Sequence, residues 1–358
     1  MVDKSHGGDI WRHLKSSKCA ILDFSVNINP FGMPERVKEH VLSNIDKLNY
    51  YPQPQSLHLK NSLAKFHGLS SDNILVGNGS IELIHLLPRA LKAKTVLMPV
   101  PTFSEYEFAA KANNASCVFV ESSEKNNFKV DVLKLIKLLA KTDLVFLCNP
   151  NNPTGCKLTS QEVILLLKAC KERKVTLVID EVFMDFVLKG DENSMIPESA
   201  RNKCLLVIRS LTKFFALPGL RVGYLTGHKD VLERISQSMF PWNVNTLAQI
   251  ISAKVIEDSR YIAKARSIIA EERPYLYNSL SSLKGIKAYP SDANFFLCRL
   301  EAGSIKNAEE LSAILIRKGI LIRNCRNFRG LNNSFFRIAV RKREDNIRLI
   351  STLKQALG

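Results

Sequence analysis

The chain has 358 residues, 46% of them hydrophobic, and a formal net charge of +17. That length and apolar content suit a sizeable buried core in about two domains and argue against a disordered chain. No apolar run reaches the length of a membrane span and the start lacks the apolar core of a secretory signal. The lysines are interspersed with acids, as in Lys342-Arg343-Glu344-Asp345, so no membrane or nucleic-acid partner is expected; the excess charge can still steer phosphorylated ligands.

Apolar residues recurring every three to four positions predict helices over 35–47, 81–91, 130–139 and 160–173. Apolar, β-branched runs predict strands over 95–98, 117–121, 143–147, 175–179, 205–208 and 222–226. A long helical stretch follows Arg260; then come an apolar segment at 293–300, a helix over 308–318, strands at 320–322 and 335–340, and a last helix. Alternating helices and strands predict an α/β fold with a mostly parallel sheet covered on both faces, and the C-terminal part reads as a smaller α+β domain. Eight cysteines are scattered without a CxxC or other metal spacing, and Cys148, Cys170 and Cys298 lie in apolar or amphipathic runs. Reduced thiols, a cytoplasmic address and no metal are expected.

The chemistry concentrates in three segments. Ser210-Leu211-Thr212-Lys213-Phe214 is followed by Arg221, placing hydroxyls and a guanidinium around one lysine. A lysine that forms a Schiff base needs an electrophilic carbonyl, which pyridoxal phosphate supplies, and the cofactor's phosphate needs hydroxyl donors and a forked cation. Asp180 closes the apolar run 175–179, where a carboxylate can pair with a protonated pyridine nitrogen. Cys148-Asn149-Pro150-Asn151-Asn152-Pro153-Thr154-Gly155 follows another apolar run and leaves an asparagine amide to donate to a ring substituent. Each piece has an ordinary reading as a turn, cap or solvated lysine; their order is far more specific than any one of them.

With these motifs the chain resembles the fold-type I pyridoxal-phosphate enzymes, in the branch that contains histidinol-phosphate aminotransferase. The resemblance implies a large domain with a mostly parallel seven-stranded sheet over 46–245 and a small domain over 246–358. Residues 1–45 would form an N-terminal arm and part of the small domain. It makes Lys213 and Asp180 the catalytic residues and Asn152 the contact to the ring hydroxyl. Ser80, Ile81, Ser210, Thr212 and Arg221 would bind the cofactor phosphate, with Phe103 stacking on the ring. Tyr51 would reach the cofactor of a partner subunit, which implies a homodimer. Where the family often carries tyrosine this chain has Phe183, which cannot donate to the ring hydroxyl.

The same cofactor contacts serve amino transfer and decarboxylation, so the substrate contacts decide the reaction. The start His6-Gly7-Gly8 offers a ring donor and backbone amides to an anion, and Arg323 and Arg337 can each fork onto one. Two arginine positions suggest a carboxylate and a phosphate. His6-Gly7-Gly8 together with the segment 22–34, which contains Asn27, is similar to the threonine-phosphate decarboxylases of cobalamin biosynthesis more than to the aminotransferases. The resemblance implies conversion of L-threonine O-3-phosphate to (R)-1-amino-2-propanol O-2-phosphate and carbon dioxide. His6, Gly7, Gly8, Asn27, Arg323 and Arg337 would then bind the substrate. Serine phosphate, one methyl smaller, stays open as a substrate. A histidinol-phosphate-type aminotransferase and a non-catalytic protein binding pyridoxal phosphate or an anion are the other readings.

Overall fold

The computed structural model describes residues 6–11 and 21–358. Of the expected N-terminal arm, residues 1–5 and 12–20 therefore lie outside the described residues.

Seven strands form the central sheet, in the order Ile74–Asn78, Val222–Gly227, Leu205–Ser210, Thr176–Asp180, Leu144–Cys148, Thr95–Val100, Ser116–Glu121. All run the same way except Val222–Gly227, which is antiparallel to both neighbours. The central strands are apolar throughout because both faces are covered, and alternate side chains enter two different cores. Leu144, Phe146, Val178, Leu206 and Ile208 pack on one side with helices Gly79–Ala90 and Glu105–Ala112. Val145, Leu147, Leu177, Ile179, Leu205 and Val207 pack on the other, with helices Val132–Leu138 and Ser160–Glu172. The latter helix opens on a capping box between Thr159 and Glu162.

The register aligns the strand ends that matter. Cys148 lies opposite Asp180, Asp180 opposite Ile208, Ser210 opposite Gly223, and Gly223 opposite Gly77. In open α/β sheets ligands bind beyond the carboxyl ends of the strands, and this row of residues lies there.

The C-terminal part carries a four-stranded antiparallel sheet, Arg323–Asn324, Phe335–Ala339, Phe295–Leu300 and Ile286–Ala288, with helices Ala308–Arg317 and Arg343–Leu357. Leu22–Asp23 pairs in parallel with Ile320–Leu321. The chain that follows is sewn between the two sheets. Ala339 donates its backbone N–H to the Phe24 carbonyl at 2.9 Å, and Asn29 donates its own to the Lys213 carbonyl at 3.0 Å.

Three local expectations change. The helix expected over 35–47 is broken into Arg36–Leu42 and a 3-10 turn, Ile45–Asn49, because Ser43 and Asn44 bond their side chains back to carbonyls of the preceding turn and end it. The strand expected at 320–322 is two short strands pairing with different sheets. Strand Ile74–Asn78 was not expected; its polar end, Gly77-Asn78, hides an apolar run of only three residues. Helix Thr246–Val255, just past the expected domain boundary, packs against helix Leu57–His67.

Candidate active site

A cavity of about 180 Å³ opens between the two sheets, lined among others by His6, Asn27, Ser80, Phe103, Asn152, Asp180, Phe183, Lys213, Arg323 and Arg337. Most of the expected site residues are therefore brought to one place. Lys213 projects from the short helix Leu211–Phe214 that follows the Leu205–Ser210 strand. Burial, and then the nearby charges of Arg337 and Arg221, push its ammonium down to about 8. Its loop is fixed from outside by Asn29, whose amide donates to the Phe214 carbonyl at 2.8 Å and to the Tyr261 hydroxyl at 3.1 Å.

Asp180 sits at the floor, 4% exposed. Burial pushes its carboxyl up to about 6, against hydrogen bonds from the Tyr106 hydroxyl at 2.6 Å and the Val182 N–H at 3.0 Å. A cation beside Asp180 would favour its ionised form. Tyr106 escapes sequence reasoning as a site residue. It lies at the start of helix Glu105–Ala112, meets Phe103 edge-on at 5.7 Å and stacks on Phe146 at 4.9 Å. With Tyr106→Phe, Asp180 loses one of its two hydrogen bonds, and turnover is expected to fall about tenfold with cofactor affinity nearly unchanged. Steady-state rates within about twofold of the parent would reduce the contact to packing.

Asn152 is held by Arg337, whose guanidinium donates to its Oδ1 and, at 2.8 Å, to the Ser25 carbonyl. With its oxygen occupied, Asn152 keeps its amide hydrogens for another partner. The turn around it is braced by Asn151, which accepts from Thr102 Oγ1 at 2.7 Å and donates to the Pro101 carbonyl at 2.8 Å. Phe183 packs edge-on against Phe295 at 4.9 Å and presents no polar atom to the cavity.

Beyond the Lys213 side of the cavity lies a cradle. Gly223 backs directly onto helix Gly79–Ala90; a Cβ there would stand 2.4 Å from the Ser80 nitrogen. Gly79, at φ +74°, leaves room for the Arg221 guanidinium, which a Cβ would meet at 2.7 Å. The first-turn N–H groups of Ser80 and Ile81, the paired hydroxyls of Ser210 and Thr212 (2.7 Å apart) and the exposed Arg221 surround it. Backbone donors at a helix N-terminus with a guanidinium opposite form a phosphate site.

The substrate side is built from the C-terminal sheet and the N-terminal residues. Arg323 and Arg337 are cross-strand partners, 7% and 6% exposed, so two guanidinium groups share one wall. Arg323 donates to Asn327 Oδ1 at 2.8 Å and lies over Phe328; Arg337 lies over Phe295, with its Nε–H lacking an acceptor. Burial pushes the Arg337 guanidinium down to about 10. The buried Asn27 Oδ1 also lacks a partner. Such unmatched polar atoms in a cavity wall suit a ligand that supplies their complements.

Not all the expected contacts meet here. The Gly8 amide is taken by Ser25 Oγ at 2.8 Å, so the expectation that it binds an anion is corrected. Gly7 packs so tightly on Ser25 that a Cβ would stand 2.2 Å from its carbonyl oxygen. The His6 ring lies 5.9 Å from that of Phe103 and its Nε2 bonds Glu105. Tyr51 is 81% exposed, its ring tilted against that of Trp242 outside the cavity of its own chain.

An amine lowered by burial, a carboxylate at the cavity floor, an asparagine amide and a phosphate cradle match the four functional ends of pyridoxal phosphate, and the fold and site define an enzyme of fold type I dependent on it. The model of the aminotransferase class I and II family matches residues 20–353. The chain belongs to that family. It is 34% identical over 361 residues to the threonine-phosphate decarboxylase of Salmonella typhimurium, covering 100% of this chain and 98% of that one. Among solved structures, the histidinol-phosphate aminotransferase of Clostridium acetobutylicum superposes with a TM-score of 0.87 at 35% identity, covering 94% and 99% of the two chains. The L-threonine-O-3-phosphate decarboxylase of Porphyromonas gingivalis does so with 0.83 at 29%, covering 93% and 98%.

Proposed function

We propose that the chain decarboxylates L-threonine O-3-phosphate to (R)-1-amino-2-propanol O-2-phosphate, a linker for the corrinoid nucleotide loop. The observation that carries this reading is the buried cross-strand pair Arg323 and Arg337, with His6 lining the same cavity. A guanidinium forks onto carboxylate or phosphate oxygens, and a phosphorylated amino acid brings one group of each kind to the two arginines.

Bound pyridoxal phosphate supplies the electron sink for whichever Cα bond lies across its ring plane. Asp180 holds a carboxylate at the pyridine nitrogen, and the Ser80–Ile81 cradle with Ser210, Thr212 and Arg221 holds the cofactor phosphate. Phe103 covers the ring face and Asn152 donates to the ring hydroxyl. Arg337 takes the substrate carboxylate, so its position sets which bond stands across the ring. Arg323 and His6 hold the substrate phosphate at the far end, with Asn27 and the Gly7 backbone completing that wall. Lys213, poised near neutral pH, returns a proton to Cα after carbon dioxide leaves.

A methyl group distinguishes threonine phosphate from serine phosphate, worth about 1–3 kcal/mol in an apolar contact. Serine phosphate, giving phosphoethanolamine, is therefore expected as a second, poorer substrate. The 35% identity to a solved histidinol-phosphate aminotransferase favours amino transfer as the second reading. Exposed Tyr50 and Tyr51 beside Trp242 suit coverage by a second copy of the chain, with Tyr51 reaching that copy's cofactor phosphate; a cytoplasmic homodimer is the working form. Among the described residues no helix is long and apolar enough to cross a membrane. Incubation with threonine phosphate and serine phosphate, followed by identification of the amine product, tests the reading. Aminopropanol phosphate is expected as the main product; an oxo acid in its place overturns it.

A further inference from the structure

The segment 103–106 serves three depths of the cavity. Phe103 faces the cavity, Tyr106 reaches down to Asp180, and Glu105 turns to the rim, where two histidines from different parts of the chain meet it. His6 Nε2 lies 2.8 Å from Glu105 Oε1, and His85 Nε2 lies 2.8 Å from Glu105 Oε2. The Glu105 side chain is 11% exposed, whereas those of His6 and His85 are 46% and 38% exposed. His85 belongs to helix Gly79–Ala90, the one that opens on the phosphate cradle. One carboxylate thus ties the residues before the first strand to a rigid helix of the large sheet layer.

We propose that Glu105 is a positioning residue that fixes His6, and with it the first described residues, at the substrate-phosphate end of the cavity. The inference rests on the reading of His6 as a contact to that phosphate. The two hydrogen bonds, first His6 and then His85, hold the Glu105 carboxyl down to about 2, so it is ionised and can only accept. Both histidines therefore present an Nε2–H to it. Nδ1 is then the only His6 ring nitrogen left for another partner. The carboxylate selects the ring orientation, as a buried acid does for a histidine whose other nitrogen works elsewhere. His85 holds the second oxygen, so the carboxylate cannot rotate away when His6 engages a ligand.

The test uses the full-length, cofactor-loaded protein with Glu105→Gln, His6→Ala and the double variant. Glu105→Gln is expected to raise KM for threonine phosphate about tenfold with kcat within about twofold. In the His6→Ala background the same substitution should add less than about twofold, because its effect passes through the histidine. Amide hydrogen exchange over residues 6–11 should quicken in Glu105→Gln, with the visible band of the lysine-bound cofactor unchanged. Additive effects on KM, or unchanged exchange over residues 6–11, overturn the proposal. The exchange measurement needs no turnover. Faster exchange in a protein that does not decarboxylate would uphold the positioning of His6 and fault only the substrate.

Discussion

Lys213→Ala is expected to reduce turnover by at least about 10³-fold while the protein folds as before. In the proposed mechanism the side chain is the cofactor's covalent tether and the group that moves a proton at the substrate's Cα. The phosphate cradle and Asp180 are left intact, so cofactor should still bind, without the visible band of the lysine-bound form. Parental circular dichroism with an absent band and no product is the predicted pattern; a rate close to the parent's would remove Lys213 from the mechanism. A pH effect accompanies it. Because burial and neighbouring arginines lower the Lys213 ammonium to about 8, the neutral amine grows in as pH rises through that value. Capture of cofactor by the cofactor-free protein should accelerate over that range, well below where an ordinary lysine would respond.

Arg337→Ala should cost about 10²–10³-fold in kcat/KM, most of it in kcat. The guanidinium holds Asn152 Oδ1 and the Ser25 carbonyl, so its loss loosens Asn152, the proposed contact to the ring hydroxyl, and the segment around Ser25 together. In the proposed reaction it also fixes the substrate carboxylate. Once that group can swing, the Cα–H bond can stand across the ring and slow amino transfer to 2-oxoglutarate should appear. Arg337→Lys should recover little, because an ammonium cannot fork between two acceptors. Quantifying carbon dioxide and glutamate from the same variant checks both claims. An unaltered ratio of the two products at full rate would assign Arg337 to packing.

Much of the large sheet was legible in the sequence because strands covered on both faces must be apolar at every position, as over 144–147 and 175–179. The cofactor side of the site was legible for a related reason. Its groups sit at strand ends and tight turns, where local sequence specifies geometry: Asp180 after an apolar run, Asn152 in a Pro-bounded turn, Ser210 and Thr212 three positions before and one before Lys213. The substrate side depends on distances between remote segments, which local sequence does not specify. Nothing local marks Tyr106 as the partner of Asp180, or Glu105 as the meeting point of His6 and His85. The Gly8 amide looked available in sequence, but folding brings Ser25 onto it. Helix Glu105–Ala112 was missed because its buried side carries Tyr106 and two alanines, too weak an apolar stripe to announce a helix.

In the proposed reaction this chain removes the carboxylate of a phosphorylated amino acid rather than its amino group. Carboxyl-labelled threonine phosphate, given to the intact cofactor-loaded protein with 2-oxoglutarate present, puts the two reactions in one vessel. Labelled carbon dioxide is expected in step with aminopropanol phosphate, with no more than traces of glutamate. Glutamate formed in step with substrate loss, with the label retained in an oxo acid, would contradict it.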